Sequence, residues 1–313
     1  MPLDPHASRF LKMLAASARP LRARCKPDER RHAFESLLQL GERSEPIAHV
    51  ENLIIPGPGG SIPLRKYAPT EAQSEPAPAL IYFHGGGLVA GSLDTHDALC
   101  RTLANAVKCL VVSVSYRLAP EHPFPAAIED GCAAVRWTFS HAERLQIDPL
   151  RIGIAGDSAG ANIAAVICQL LGEADVPPPA LQLLLCPILD FGANTPSRRC
   201  FGAGYLVEMT EVAFELQQYL PAGSNMDDPR VSPLRATNLH GLPATYIHTA
   251  EYDPVRDEGL AYADRLRRSD IEVHHTCHAG MIHMFYALPG LIPYARTAWT
   301  QIAAQITPAL CRT

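Results

Sequence analysis

The stretch that most constrains this chain runs from Arg151 to Leu171. It holds Gly156-Asp157-Ser158-Ala159-Gly160, a G-x-S-x-G pentapeptide, between two apolar runs. Arg151-Ile152-Gly153-Ile154-Ala155 reads as a buried strand, and Asn162 to Leu171 reads as an apolar helix. A serine on so sharp a strand-to-helix turn is pushed toward a strained backbone conformation, so both flanks must be small. Gly156 and Gly160 meet that need. A serine held this way forms a nucleophile elbow, with its hydroxyl presented at the end of a strand.

The rest of the chain supplies the sheet that such a turn requires. His49–Ile55 and Ile62–Tyr67 flank the turn cluster Pro56-Gly57-Pro58-Gly59-Gly60 and read as a hairpin. Residues 68–79 read as a surface loop. Strands are then expected at Leu80–Phe83, Leu110–Val114, Leu181–Cys186, Ala244–Thr249 and Ile271–Thr276, besides the one before Ser158. Helices are expected at Ala98–Val107, Ala126–His141, Glu258–Arg268 and Tyr294–Ile306. Strands alternating with helices make a mostly parallel sheet covered on both faces, an α/β fold. Residues 1–45 read as amphipathic helices divided by Pro20 and Pro27. Residues 191–222 break the alternation, with a helical pattern at Glu208–Leu220. Together these two segments are expected to cap the carboxyl ends of the strands, where open α/β sheets place ligands. The expected division is 1–45 and 191–222 as cap, with 46–190 and 223–313 as the catalytic core.

Composition excludes several classes. With 313 residues, the chain can bury a large core. A net charge of −5 offers no basic excess for nucleic acid. No apolar run reaches the length of a membrane span. Arg9, Lys12, Arg19, Arg22 and Arg24 interrupt the N-terminal apolar residues, unlike a signal peptide, so a cytoplasmic location is expected. The nine cysteines are odd in number and form no C-x-x-C pair, which argues against a disulfide framework. Cys109, Cys168 and Cys186 lie in apolar surroundings and read as buried thiols.

A serine hydroxyl is a weak nucleophile at neutral pH and needs a base, which in turn needs a partner to fix its tautomer. On an elbow fold the chain order is Ser, then Asp or Glu, then His. The acid is expected just beyond a later strand, in Glu251-Tyr252-Asp253-Pro254-Val255-Arg256-Asp257-Glu258. Asp253 lies nearest the turn and Glu251 is its rival. Asp257 and Glu258 fit the first turn of a helix, where acids favour the dipole. The base comes from His274, His275, His278 or His283. The first two lie in a strand and the others in the loop after it, and His283 is preferred over His278. These histidines and Cys277 match no standard zinc spacing, so no metal or other cofactor is expected. His84-Gly85-Gly86-Gly87 follows a strand and lets backbone N–H groups approach a developing oxyanion, with Ala159 N–H as a further donor. No G-K-[S/T] follows those glycines, which argues against a phosphate loop.

These motifs resemble the hormone-sensitive-lipase-like family of α/β-hydrolases, in its bacterial carboxylesterase branch. The resemblance runs through His84-Gly85-Gly86-Gly87, Tyr116 to Ala126, Gly156-Asp157-Ser158-Ala159-Gly160, Asp253 to Gly259 and Gly280-Met281-Ile282-His283. It implies an α/β-hydrolase fold with a helical cap and a triad of Ser158, Asp253 and His283. It also implies oxyanion donors at Gly86, Gly87 and Ala159, with His84 and Gly85 shaping the loop. Arg117 and Glu121 are then expected to act as a charged pair bracing the loops, and Asp157 to support the site. Two departures stand out: Met284 follows His283 where the family usually has glycine, and Cys277-His278-Ala279 replaces a tyrosine-proline-like pair. The expected function is hydrolysis of short to medium acyl esters through a covalent acyl-enzyme. The acyl pocket is expected around Phe201, Tyr205, Leu206, Met209 and Phe214. An amidase or peptidase using the same triad is an alternative. So is a non-catalytic small-molecule receptor, although the receptors that resemble this family have lost the histidine. The expected partner is a small ester, and a homodimer through the last strand is possible for such a chain.

Overall fold

The computed structural model describes residues 1–17, 25–41, 43–71, 76–171 and 176–310. Helix α1 (Pro5–Ala16) is capped by Asp4, whose carboxylate accepts from the N–H groups of His6 and Ala7. Helix α2 (Pro27–Gly41) opens on a proline followed by Asp28 and Glu29, an arrangement suited to a helix N-terminus. Pro20, expected to separate the two helices, lies outside the described residues.

Strands β1 (His49–Gly57) and β2 (Gly60–Ala68) form the expected hairpin, in register from His49 opposite Ala68 to Gly57 opposite Gly60. Then follow β3 (Ala77–Phe83), α3 (Asp97–Val107), β4 (Leu110–Val114), α4 (Ala126–Ser140) and a single-turn helix α5 (Ala142–Leu145). The elbow joins β5 (Ile147–Asp157) to α6 (Ala159–Leu171), and β6 (Leu181–Leu185) comes next. Two helices fill the insertion, α7 (Pro196–Phe201) and α8 (Met209–Tyr219). The chain ends with β7 (Ala244–Tyr252), α9 (Arg256–Arg267), β8 (Val273–Ile282) and α10 (Tyr294–Leu310).

The eight strands make one sheet in the order β1-β2-β4-β3-β5-β6-β7-β8. β1 and β2 run antiparallel, and every neighbouring pair from β4 to β8 is parallel. Strands β3, β4 and β6 are buried along their whole length, as strands covered on both faces must be. Right-handed crossovers set the layers. The step from β3 to β4 moves one way across the sheet, and those from β4 to β5, β5 to β6 and β7 to β8 move the other. Helix α3 therefore lies on one face, and α4, α6 and α9 on the opposite one. Helix α10 packs on α3 and covers β5, β6 and β7 on that same face.

Several boundaries differ from the sequence expectation. Strand β8 starts later and runs six residues further than Thr276, so Cys277 to Ile282, read as loop, are strand. His278 is thus a strand residue paired opposite Ala250. The reason is that β8 is an edge strand with a largely polar, half-exposed sequence, so no fall in hydropathy marks its end. Strand β7 likewise continues past Thr249 to Tyr252 and delivers the next residue, Asp253, to the carboxyl edge of the sheet.

Candidate active site

Four strand ends converge on one cleft. His84 follows β3, Ser158 follows β5, Asp253 follows β7 and His283 follows β8. Ser158 sits at φ +53°, the left-handed conformation that the elbow demands. Its N–H donates to Leu185 O at 2.8 Å, which ties the turn to the neighbouring strand. Both glycine flanks are obligatory. A methyl group on Gly156 would overlap the Gly160 carbonyl, and one on Gly160 would overlap the carbonyl oxygens of Phe83 and His84.

His283 Nε2 lies 3.0 Å from Ser158 Oγ, and its Nδ1 lies 2.7 Å from Asp253 Oδ2. Asp253 has no exposed surface, and its Oδ1 accepts the Val255 N–H at 3.0 Å. Burial alone pushes the His283 imidazole down, but the charge and hydrogen bond of Asp253 more than offset this and hold it above the usual histidine range. The other acids named in the sequence lie elsewhere. Glu251 accepts from the Met1 amine and the Gly280 N–H, joining the N-terminus to β8. Asp257 and Glu258 occupy the first turn of α9. Glu258 is fully buried against Arg198, Leu189 N–H and Asp190 N–H, and burial raises its carboxyl to about 7. His278 bonds to His248 and Tyr294, and His274 and His275 bond to Glu272 and Thr249.

The glycine loop after β3 is held from behind. Asp157 Oδ1 accepts the Tyr82 hydroxyl at 2.6 Å and the Gly85 N–H at 2.8 Å, and His96 Nε2 lies 3.4 Å away. Burial raises this carboxyl, but His96, Tyr82 and Gly85 outweigh it and keep it below the usual range. His84 stacks on Tyr116, with ring centroids 4.4 Å apart, and the Tyr116 hydroxyl donates to His84 O. Burial lowers His84 to about 3, so it is neutral at physiological pH. Gly86 and Gly87 take φ +125° and +68°, values that favour glycine, and line the same cavity as Ser158 and Ala159. Ala159 opens α6, so its N–H has no partner within the helix and points with the positive end of the helix dipole.

Arg117 and Glu121 were expected to pair, and they do not. Arg117 reaches Asp130 on α4 at 2.9 Å, while Glu121 is held by Arg31 of α2. Arg31 also donates to Val89 O and Ala119 O, so α2 is fastened to the loop after Gly87. The two residues thus brace separate joints, because α2, distant in sequence, reaches Glu121 first.

The cavity beside Ser158 is narrow, with about 70 Å³ open to the centre of a water-sized sphere. Of the five residues expected to line an acyl pocket, only Leu206 lines this cavity. Phe201 and Tyr205 instead pack on Tyr252, with centroids 5.3 and 5.8 Å away. Met209 lies against Gly202, and Phe214 is half-buried away from the cavity wall. The helical period explains this. Glu208, the N-cap, and Glu211, Val212 and Glu215 of α8 form the stripe that faces the cavity, and Met209 and Phe214 lie about 110° around the helix from its centre. The face of α8 toward this cavity is largely acidic, and its large apolar residues Met209 and Phe214 lie off that face. The opposite wall comes from Arg30, Phe34 and Leu37 of α2, which sequence reading did not single out. The spacing of Phe34, Leu37 and Leu38 was the available signal. Met284, at φ +58°, also lines the cavity in place of the family's glycine.

Cys186 completes a buried cluster in which its donor atom and those of Asp253 and His283 lie within 4.8 Å of one another. Burial pushes the thiol far up, so it is protonated, and Asp253 and His283 already engage each other. That chemistry suits a packed thiol better than a metal ligand. Among the described residues, no helix is long and apolar enough to cross a membrane.

A family model described as the α/β-hydrolase fold matches residues 80–287. The chain is 44% identical over 252 residues to a carboxylic ester hydrolase, LipN, of Mycobacterium tuberculosis, covering 78% of this chain and 66% of that protein. It is 35% identical over 306 residues to an ethyl acetate hydrolase of Pseudomonas putida, covering 94% and 95%. A hyperthermophilic esterase of the archaeon Pyrobaculum calidifontis superposes with a TM-score of 0.93 at 38% identity, covering 99% of this chain and all of the other. An ester hydrolase from the Lake Arreo metagenome, solved with a bipyridine phosphonate derivative, superposes at 0.95 and 38% identity, covering 98% of each. With the elbow, the glycine loop and the three converging side chains on one sheet, the chain belongs to the hormone-sensitive-lipase-like family of α/β-hydrolases, among esterases of bacteria and archaea.

Proposed function

We propose that this protein is a serine carboxylic-ester hydrolase of short to medium acyl esters, working through a covalent acyl-enzyme. The observation that carries this reading is the chain of contacts from Ser158 Oγ to His283 Nε2 at 3.0 Å and from His283 Nδ1 to Asp253 at 2.7 Å. Ser158 Oγ attacks the ester carbonyl carbon while His283 Nε2 takes its proton. The carbonyl oxygen becomes an oxyanion and accepts hydrogen bonds from the Gly86, Gly87 and Ala159 N–H groups. Asp253 holds Nδ1 protonated and stabilises the imidazolium. The bond to the alcohol oxygen then breaks, and that oxygen leaves with the proton from Nε2. Water attacks the acyl-enzyme, giving a proton to His283. The acid departs as Ser158 Oγ recovers a proton.

In this reading α1, α2 and residues 191–222 form the cap. Phe34, Leu37, Leu206 and Val212 line the cavity, and its small volume of about 70 Å³ supports short to medium acyl groups. Similarity at 35% identity to a protein named ethyl acetate hydrolase supports the same preference. The test is Ser158→Ala assayed across p-nitrophenyl esters of increasing acyl length. Turnover should fall on the order of a millionfold, and labelling by a fluorophosphonate should vanish. Near-wild-type hydrolysis by that variant defeats the mechanism. A wild-type profile that rises steadily toward long chains defeats the substrate reading.

A further inference from the structure

Resting on ester hydrolysis through Ser158, we propose that Arg30 is a positioning residue whose charge cancels a buried carboxylate, Glu215, beside the oxyanion loop. Arg30 stands on α2 and Glu215 on α8, and each is 8% exposed. Arg30 Nε donates to Glu215 Oε1 at 2.6 Å, and both side chains line the cavity that holds Ser158. The guanidinium lies over the Phe34 ring, 5.3 Å from its centroid, which fixes it in place.

The position of Glu215 is what makes this pair more than a brace. A methyl group built on Gly87 would overlap Glu215 Oε2. That methyl position is two bonds from the Gly87 nitrogen, so the carboxylate lies beside an N–H assigned to the oxyanion. In the transition state a second negative charge develops there. A bare carboxylate a few ångströms away, in a cleft shielded from water, opposes that charge by a factor on the order of 10² to 10³ in rate. Glu208 and Glu211 line the same wall, and Arg30 is the one arginine or lysine among the described lining residues.

Packing does not account for Arg30. Its Nη1 is buried without a hydrogen-bond partner, which carries a cost. An apolar side chain of similar length, facing an uncharged neighbour, would avoid that cost. What arginine adds at this position is positive charge.

The test compares Arg30→Met, Arg30→Lys, Glu215→Gln and the double variant R30M/E215Q on p-nitrophenyl butyrate, with active sites counted by a phosphonate. A second readout is inhibition by butylboronic acid. Ser158 Oγ adds to its boron, the serine proton passes to His283, and the boron takes the negative charge that an oxyanion would carry. Arg30→Met should lower kcat on the order of 10²-fold and weaken the boronate by a similar factor, with little change in KM. Arg30→Lys, which keeps the charge, should retain most of kcat. Glu215→Gln should move the other way, with kcat above wild type and a tighter boronate. The double variant should return kcat to within about threefold of wild type.

A brace without an electrostatic role predicts something else, because removing either partner of a buried pair harms the fold. Equal losses of kcat in Arg30→Met and Glu215→Gln overturn the proposal, as does an Arg30→Met enzyme that matches wild type. If Arg30→Met does not fold, Glu215→Gln decides alone: kcat below wild type overturns it. A wild-type protein that neither hydrolyses the ester nor takes up the phosphonate overturns the esterase reading itself, and this proposal with it.

Discussion

Replacing Asp253 by asparagine isolates the tautomer of the base from everything else in the site. The substitution changes neither the volume nor the shape of the side chain. Besides the neighbouring Cys186 thiol, Asp253 meets two N–H groups: Oδ1 accepts from Val255 N–H at 3.0 Å, and Oδ2 faces His283 Nδ1 at 2.7 Å. A backbone N–H can only donate, so it claims the amide oxygen of the asparagine. The amide NH2 is then left facing His283 Nδ1, which must accept. The ring proton moves to Nε2, 3.0 Å from Ser158 Oγ, and the base arrives already protonated. Turning the amide over restores the histidine but sets two N–H donors against each other where Asp253 has no exposed surface. The wrong tautomer should lower kcat by about 10⁴, equivalent to about 5.5 kcal/mol of transition-state stabilisation. KM and the melting temperature should change little. The assay is kcat on p-nitrophenyl butyrate for Asp253→Asn, with folding checked by circular dichroism. Retention of more than about a tenth of wild-type kcat would falsify the assignment of Asp253 as the orienting acid.

Three further outcomes are expected. Because His283 is held above 6.5 and must be neutral to act as base, kcat/KM should fall as pH drops, with a midpoint above 6.5; a midpoint below that value contradicts the Asp253–His283 coupling. Gly160→Ala should destabilise the protein by about 1–3 kcal/mol and depress kcat, because the new methyl displaces the Phe83 and His84 carbonyls at the base of the glycine loop; an unchanged melting temperature and kcat refute that packing. Phe34→Ala should cost about 3–5 kcal/mol of stability and shift the acyl-length optimum upward, and an unshifted optimum removes α2 from the pocket wall.

Local chemistry made much of the site readable. The elbow depends on contacts within about one turn of its serine, so small flanks, a preceding strand and a following helix were enough to recognise it. The alternating strands were legible because β3, β4 and β6 are buried on both faces and therefore continuously apolar. The end of β8 was not legible, since an edge strand with a polar face carries no such signature. The residues that line the cavity beside Ser158 were not legible for a related reason. Hydrophobicity pointed to Phe201, Tyr205, Met209 and Phe214, yet the cavity face of α8 carries Glu208, Glu211 and Glu215. A stripe of glutamates reads as a solvated face until the helix opposite is known.

By itself, the sequence determined the α/β alternation, the order of nucleophile, acid and base, and the glycine loop that precedes them. The alternation and the glycine loop follow from hydropathy and backbone sterics over a few residues, and the order of nucleophile, acid and base from the chain order of an elbow fold. Spacing alone left the acid and the histidine open, and only the family resemblance pointed to Asp253 and His283. The tertiary structure supplies how they meet, because β7 and β8 end at the same edge of the sheet. It also decided what walls the cavity. Arg30 and Glu215 lie 185 residues apart, and only the closing of α2 against α8 brings them together. An ion pair between distant segments leaves no periodic trace in either, so such a contact becomes visible only when the chain is folded.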